Sequence, residues 1–376
     1  MITRSITQLL REDLAHARKI VIVYGPRQAG KTTLVREVLS GIPVKKLEIN
    51  ADQLKYHDVL SGRDLTKMQG LVGDNELIFI DEAQNIPNIG INLKILHDGL
   101  PNLKIIATGS SSFDLANQIQ EPLTGRTKTY RLYPIAVQEL RHMYTPFELK
   151  DQLENYLTYG MYPEILQLSG DQAKRAHLQE LTSSYLYKDV LQLSNIKHSD
   201  KIYKLLKLLA FQAGSLVSLH ELGKSLEMSH ETVNSYIDLL EKGFIVFRLS
   251  GFSRNLRKEV TKMNKIYFYD TGIRNALLEN FNPLVFRHDL GPLWENFLIA
   301  ERRKKIEYDR LYGSCYFWRT YSGAELDYVE ERDGRLHGYE IKWKPGKGKA
   351  PATWQETYPN ASFHQLHPDD FLDFVV

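Results

Sequence analysis

Eight consecutive residues constrain this chain more than any others: Gly25-Pro26-Arg27-Gln28-Ala29-Gly30-Lys31-Thr32 reads G-x-x-x-x-G-K-[ST]. Such a loop lets successive backbone N–H groups close on phosphate oxygens, and it brings an ammonium and a hydroxyl to the β and γ phosphates and Mg²⁺. It needs a strand before it and a helix after it. Ile20-Val21-Ile22-Val23-Tyr24 is the apolar, β-branched run of a buried parallel strand, and Thr33 to Leu39 has helical composition ending at Ser40-Gly41. The cradle for ATP is therefore expected at Gly25 through Thr33, with Lys31 on the phosphates and Thr32 on Mg²⁺.

About one βαβ unit later, Leu77-Ile78-Phe79-Ile80 ends in Asp81-Glu82. A carboxylate at the C-terminal end of a parallel strand lies at the edge where open α/β sheets bind ligands. Asp81 is expected to hold Mg²⁺ through water, and Glu82 to act as general base on the attacking water. A third apolar strand, Lys104-Ile105-Ile106-Ala107, delivers Thr108-Gly109-Ser110-Ser111-Ser112, whose hydroxyls can sense the γ-phosphate or orient water. Arg126, after Leu123-Thr124-Gly125, reads equally as an arginine finger acting across a subunit boundary or as a surface ion pair, and Arg131 is a less favoured substitute.

The chain has 376 residues, is 43% hydrophobic and carries a net charge of +2. That is enough for two or three domains with cores of their own and excludes a polyelectrolyte mode of nucleic-acid binding, though not a local basic patch. Residues 1–13 are amphipathic and interrupted by charge, unlike a secretory leader, and no apolar run approaches the ~18 residues of a membrane span. The single cysteine, Cys315, reads as a buried strand residue, and a reducing, cytoplasmic setting is expected.

Residues 151–215 are helical in pattern without visible chemistry. Ser218-Leu219-His220-Glu221 then opens a helix with Leu219, Leu222 and Leu226 on one face, and a turn at Met228-Ser229 launches a second with Val233, Ile237 and Leu240 in line, capped by Gly243. Phe244-Ile245-Val246-Phe247 follows as a strand. This is the order of a winged helix, which serves either DNA or protein contacts. The second helix carries Glu231, Asp238 and Glu241 against Lys242, which opposes groove insertion. The wing carries Arg248, Arg254, Arg257, Lys258, Lys262 and Lys265 against Glu259, a basic stripe suited to DNA, to an acidic protein or to solvent.

Near the C-terminus, Glu325 to Val329 and Leu336 to Lys342 alternate around Asp333-Gly334, a hairpin signal. A two-residue loop pairs Arg332 with Arg335, which sets Asp327 opposite Glu340 and Glu325 opposite Lys342 on one face, with Leu326, Tyr328, Tyr339 and Ile341 on the other. Opposed carboxylates ~5 Å apart at Cβ repel unless a cation sits between them. Asp327 with Glu340-x-Lys342 is the arrangement of PD-(D/E)XK nucleases, in which carboxylates bind Mg²⁺ and lysine helps activate water, and Glu295 could add a third carboxylate. The alternative is a charged face neutralised by a Glu325–Lys342 pair.

Taken in order, these segments resemble a family of bacterial and archaeal AAA+-like ATPases in which a P-loop domain precedes a winged helix and a restriction-endonuclease-like domain. The resemblance covers nearly the whole chain: Gly25 to Thr32, Leu77 to Gln84, Thr108 to Ser112, Gly125-Arg126, Tyr187-Lys188-Asp189-Val190, Lys265 to Gly272 and Glu325 through Lys342. It departs at Met161 in Tyr159-Gly160-Met161-Tyr162-Pro163-Glu164, where the family has a small residue. It implies Arg126 as a trans-acting finger, sensor roles at Thr108 and Ser110, and an α/β fold organised as a parallel-sheet ATPase domain (1–140), a helical linker (141–215), a winged helix (216–275) and a nuclease-like domain (276–376). The function expected is a Mg²⁺-dependent ATPase that moves its C-terminal region. The alternatives are an ATP-gated metal-dependent DNA nuclease and a nucleotide-dependent protein-interaction switch. ATP is the expected ligand, DNA and a protein are candidate partners, no membrane is involved, and a trans finger would require a homo-oligomer.

Overall fold

The computed structural model describes residues 2–16, 19–110, 123–186, 199–254, 263–346 and 348–376. Ser111, Ser112, Tyr187 to Val190, Arg257, Lys258, Glu259 and Lys262, all named above, lie outside the described residues. The chain divides into two compact units, residues 1–134 with 242–244, and residues 135–241 with 245–376. The boundaries expected at 215/216 and 275/276 therefore fall inside the second unit.

The first unit is built on five parallel strands, β1 (Ile20–Tyr24), β2 (Lys46–Asn50), β3 (Leu77–Asp81), β4 (Lys104–Gly109) and β5 (Thr127–Arg131), in the order β2-β3-β4-β1-β5. Every residue of β1 is buried, which is why it reads as a continuous β-branched run, whereas the edge strand β2 buries little beyond Ile49. Register then brings the site together. Ile80 pairs with Ala107 and Val23 with Thr108, so Asp81, Thr108 and the loop after Tyr24 emerge at the same edge of the sheet. Helix α1 (Lys31–Ser40) leaves that edge with Leu34, Val35, Val38 and Leu39 buried.

The second unit carries a seven-stranded mixed sheet: β6 (Leu216–Val217), β7 (Val246–Gly251), β8 (Asn264–Phe268), β9 (Ser314–Arg319), β10 (Glu325–Arg332), β11 (Arg335–Ile341) and β12 (Ser362–Leu366), in the order β12-β11-β10-β9-β7-β8-β6. The strands of the expected wing and those of the C-terminal hairpin thus belong to one sheet, joined where β7 runs parallel to β9 through Ser250–Tyr316 and Gly251–Phe317. Helices α2 (Leu219–Leu226) and α3 (His230–Lys242) lie between β6 and β7 in the chain, and Ser218 Oγ accepts the Glu221 N–H as the capping signal predicts. The strand expected from Phe244 begins only at Val246. Phe244 takes φ 58°, and Ile245 N–H turns back to Leu240 O at 3.0 Å, closing the helix end before extension starts. Long helix α4 (Leu290–Tyr308) is buried along most of its length, with Trp294 and Phe297 stacked and both rings against Phe371. No described helix is long and apolar enough to cross a membrane.

The hairpin turns at Asp333-Gly334 with Arg332 opposite Arg335 and Tyr328 opposite Tyr339, as the sequence predicts. One face assignment changes. Between Leu326 and Val329 the pairing of β10 with β9 slips by one residue, a bulge that turns Leu326 onto the face of Val329, Trp318 and Trp354, while Tyr328 stays with Tyr339 and Phe374 on the other. Alternation cannot foresee an inserted residue.

A buried polar knot fastens the start of α4. Arg274 and Arg287 both donate to Asp289 Oδ2 at 2.8 Å, and Arg287 also reaches Asn275 Oδ1 at 2.9 Å. Burial alone would raise the Asp289 carboxyl, but Arg287 and Arg274 outweigh it and hold it at about 2 against an ordinary 3.8. A depressed folded-state pKa means stability present in full above the unfolded value and lost as pH falls through about 2, worth roughly 2 kcal/mol. In urea titrations, Asp289→Asn is expected to cost about that at pH 7, with the gap from wild type shrinking as pH falls from ~4 toward 2.

Candidate nucleotide site and the C-terminal charge cluster

The phosphate loop is shaped by close packing as much as by its glycines. A Cβ on Gly25 would lie 2.0 Å from Leu132 O, so only glycine lets the loop leave β1 here, and Gly30 takes φ 91° as it caps α1. Lys31 is buried and donates to Gly25 O and Pro26 O, both at 3.0 Å, so the loop wraps its own lysine. Arg4, which no motif marks, reaches Ala29 O and Tyr133 O with its two terminal nitrogens, each at 2.7 Å. Thr33 follows as the third residue of α1, with Arg27 and Gln28 forming the turn.

Asp81 stands at the centre of the site. Thr32 Oγ1 donates to its carboxylate at 2.8 and 3.0 Å, and Thr108 Oγ1 donates to the same group. Thr108 also accepts the Glu82 N–H at 3.1 Å, so one hydroxyl ties both acids to β4. Glu82 itself sits at φ 52°, a conformation costly for a residue with a side chain. Its Oε2 accepts from Gln84 Nε2 at 2.6 Å, and the same nitrogen donates to Ser110 Oγ at 3.2 Å. The structure thus gathers Lys31, Thr32, Asp81, Glu82, Thr108 and Ser110, and adds Gln84 and Arg4. Gln84 was legible as part of the Asp81-Glu82-Ala83-Gln84 run, whereas Arg4 carried no signal because its partners lie 25 and 129 residues away.

Arg126 is not gathered. Its carbonyl accepts the Ile20 N–H at the start of β1, which puts it at the sheet edge opposite the loop, one strand length or roughly 17 Å away. There its Nε lies 2.8 Å from Asp98 Oδ1 as an exposed ion pair.

In the second unit, Glu295 on α4, Asp327 on β10 and Lys342 beyond β11 do converge, but around a lysine. Lys265 Nζ lies 3.2 Å from Glu295 Oε1 and 3.8 Å from Asp327 Oδ1, and Tyr267 Oη donates to Glu295 Oε1 at 2.6 Å. Burial pushes Glu295 up to about 7 against the pull of Lys265, with Asp327 adding to the rise. Glu340 pairs with Lys342 at 2.5 Å, and Glu325 with Arg319 at 3.2 Å rather than with Lys342. Among the described residues no group of three or more His, Cys, Asp or Glu is arranged to hold a metal ion. The expected basic stripe is also altered. Lys265 is buried, Arg248 pairs with Asp238 and Glu241, and Arg254 pairs with Glu331 at 2.7 Å.

Comparison with known proteins follows this division. An AAA domain family matches residues 17–141, and two domains of unknown function match residues 150–284 and 290–364. The uncharacterized protein Rv2008c of Mycobacterium tuberculosis is 31% identical over 342 residues, 90% of this chain and 73% of that protein. The chain belongs to the family of that mycobacterial protein. The chain is also similar to uncharacterized protein MJ1637 of Methanocaldococcus jannaschii, which is 26% identical over 370 residues, 89% of this chain and 72% of its own length. Among solved structures, the Walker-type ATPase PABY2304 of Pyrococcus abyssi superposes with TM-score 0.51 at 16% identity, over 74% of this chain and 96% of that one, and shares the fold. The AAA domain match implies that residues 17–141 bind a nucleotide.

Proposed function

We propose that the chain is a Mg²⁺-dependent ATPase that passes its nucleotide state to the second unit through residues 132–134. The observation that carries the coupling is the clamp on those residues. Gly25 lies against the Leu132 backbone, Leu132 N–H donates to Tyr24 O at 2.7 Å, and Arg4 ties Ala29 O to Tyr133 O, immediately before Ile135 opens the second unit. A loop that shifts on gaining or losing the γ-phosphate moves these residues with it.

Within the site, the Thr32 hydroxyl and Asp81 carboxylate already touch and would together hold Mg²⁺, which would neutralise charge on the β and γ phosphates. Glu82 takes the proton of the attacking water. The buried Oε1 of Gln84 has no hydrogen-bond partner among the described residues, which leaves an acceptor beside Glu82 to orient that water. Lys31 exchanges its loop carbonyls for phosphate oxygens. Arg126, at the far edge, acts in this reading only on the nucleotide of a second copy.

The form the coupling takes is a nucleotide-dependent switch directed at a partner. The nuclease alternative is less supported, because Lys265 stands among the carboxylates that would bind metal. Hydrogen exchange on the full chain tests the coupling. Exchange in residues after Ile135 is expected to differ between ATP-bound and nucleotide-free protein, and the difference is expected to vanish in Arg4→Ala while ATP still binds. Equal exchange in both states of wild type would sink the proposal.

A further inference from the structure

The carboxylate cluster of the second unit lies on strands and a helix far apart in sequence, and every carboxylate oxygen named in it already has a partner. Lys265 enters from β8, which is separated from β10 by β9 and β7, and its side chain is 5% exposed. Its ammonium stands 3.2 Å from Glu295 and 3.8 Å from Asp327, over the face of Phe317 with the ring centre at 5.7 Å. Glu295 Oε1 accepts Tyr267 Oη in addition. Asp327 Oδ2 accepts the Ile341 N–H at 2.8 Å and has Lys342 Nζ at 4.0 Å, while Glu340 is held by Lys342.

We infer that the Lys265 ammonium is the resident cation of this cluster, standing between Glu295 and Asp327 in place of a divalent metal. The electrostatic problem posed by the sequence, carboxylates forced together in a dry site, has two solutions that exclude each other. An ammonium and a Mg²⁺ cannot both lie within ~4 Å of the same two carboxylates without strong mutual repulsion in a low-dielectric interior. Lys265 therefore does structural work a metal would otherwise do. It joins the strand next to the helix pair to the C-terminal hairpin and to α4, and the second unit closes without a divalent ion.

Mn²⁺ binding followed by electron paramagnetic resonance tests this on the full-length, nucleotide-free protein. Wild type and Asp327→Asn are expected to bind Mn²⁺ identically, since Thr32 and Asp81 are the same in both. Lys265→Met, which keeps the stem and removes the charge, is expected to bind one additional ion per chain, and adding Asp327→Asn to it is expected to abolish that ion. Thermal melts should agree, with Mn²⁺ raising the Tm of Lys265→Met more than that of wild type. The inference is overturned if wild type binds an ion that Asp327→Asn removes, meaning that the lysine swings aside for metal, or if a folded Lys265→Met gains none. Should Lys265→Met not fold, the comparison of wild type with Asp327→Asn decides alone.

Discussion

Glu82→Gln is expected to bind ATP as wild type does and to hydrolyse it about 10²- to 10⁴-fold more slowly. That is the range a positioned general base supplies. The amide keeps the size of the carboxylate and can still meet Gln84, so the strained backbone at Glu82 and its N–H bond to Thr108 need not change. What is lost is the capacity to take a proton from water. Phosphate release measured beside fluorescent-nucleotide binding separates the two effects. Unchanged turnover in Glu82→Gln would move the base elsewhere, and lost binding would mean that the substitution has disturbed Asp81 next to it. Run with single- and double-stranded DNA, the same assay with Glu82→Gln as its blank reports the partner: stimulation by DNA points to nucleic acid, and indifference to a protein.

The second large effect is expected on stability. Glu330 is completely buried in β10 and accepts both forks of Arg302, Nε to Oε1 at 2.6 Å and the second nitrogen to Oε2 at 2.9 Å, while Arg332 stands beside it as an ion-pair partner without a hydrogen bond from its Nε. Arg302 is itself buried, donates to Phe374 O at 2.8 Å and lies over the Phe374 ring. Glu330→Gln keeps the shape but leaves a buried guanidinium without its counter-charge, which costs about 3–5 kcal/mol. For a domain of this size that is a fall in Tm of roughly 10 °C, measurable by calorimetry. The double replacement Arg302→Met with Glu330→Met is expected to lose much less, because no fully buried charge is left unpaired and Arg332, which loses Glu330 in either variant, is partly exposed to water. If the single and double variants melt together, the pair is not coupled as the geometry implies.

The two sites were legible to different degrees for a physical reason. Lys31, Thr32, Asp81 and Glu82 could be read from the chain because each lies within a few residues of the strand end that carries it, and parallel strands with matched register deliver their C-terminal ends to one edge. Local sequence thus determined the phosphate loop, the acidic strand end, the hairpin turn at Asp333-Gly334 and its register. What the chain could not disclose depends on long-range placement. Arg4 meets its acceptors across 25 and 129 residues, Lys265 reaches Glu295 and Asp327 from another part of the sheet, and the bulge before Val329 re-aims Leu326. In the sequence Lys265 is one more cation in a basic stripe. Only the tertiary structure, by burying it beside two carboxylates, decides that its charge is spent inside the protein rather than offered to a partner.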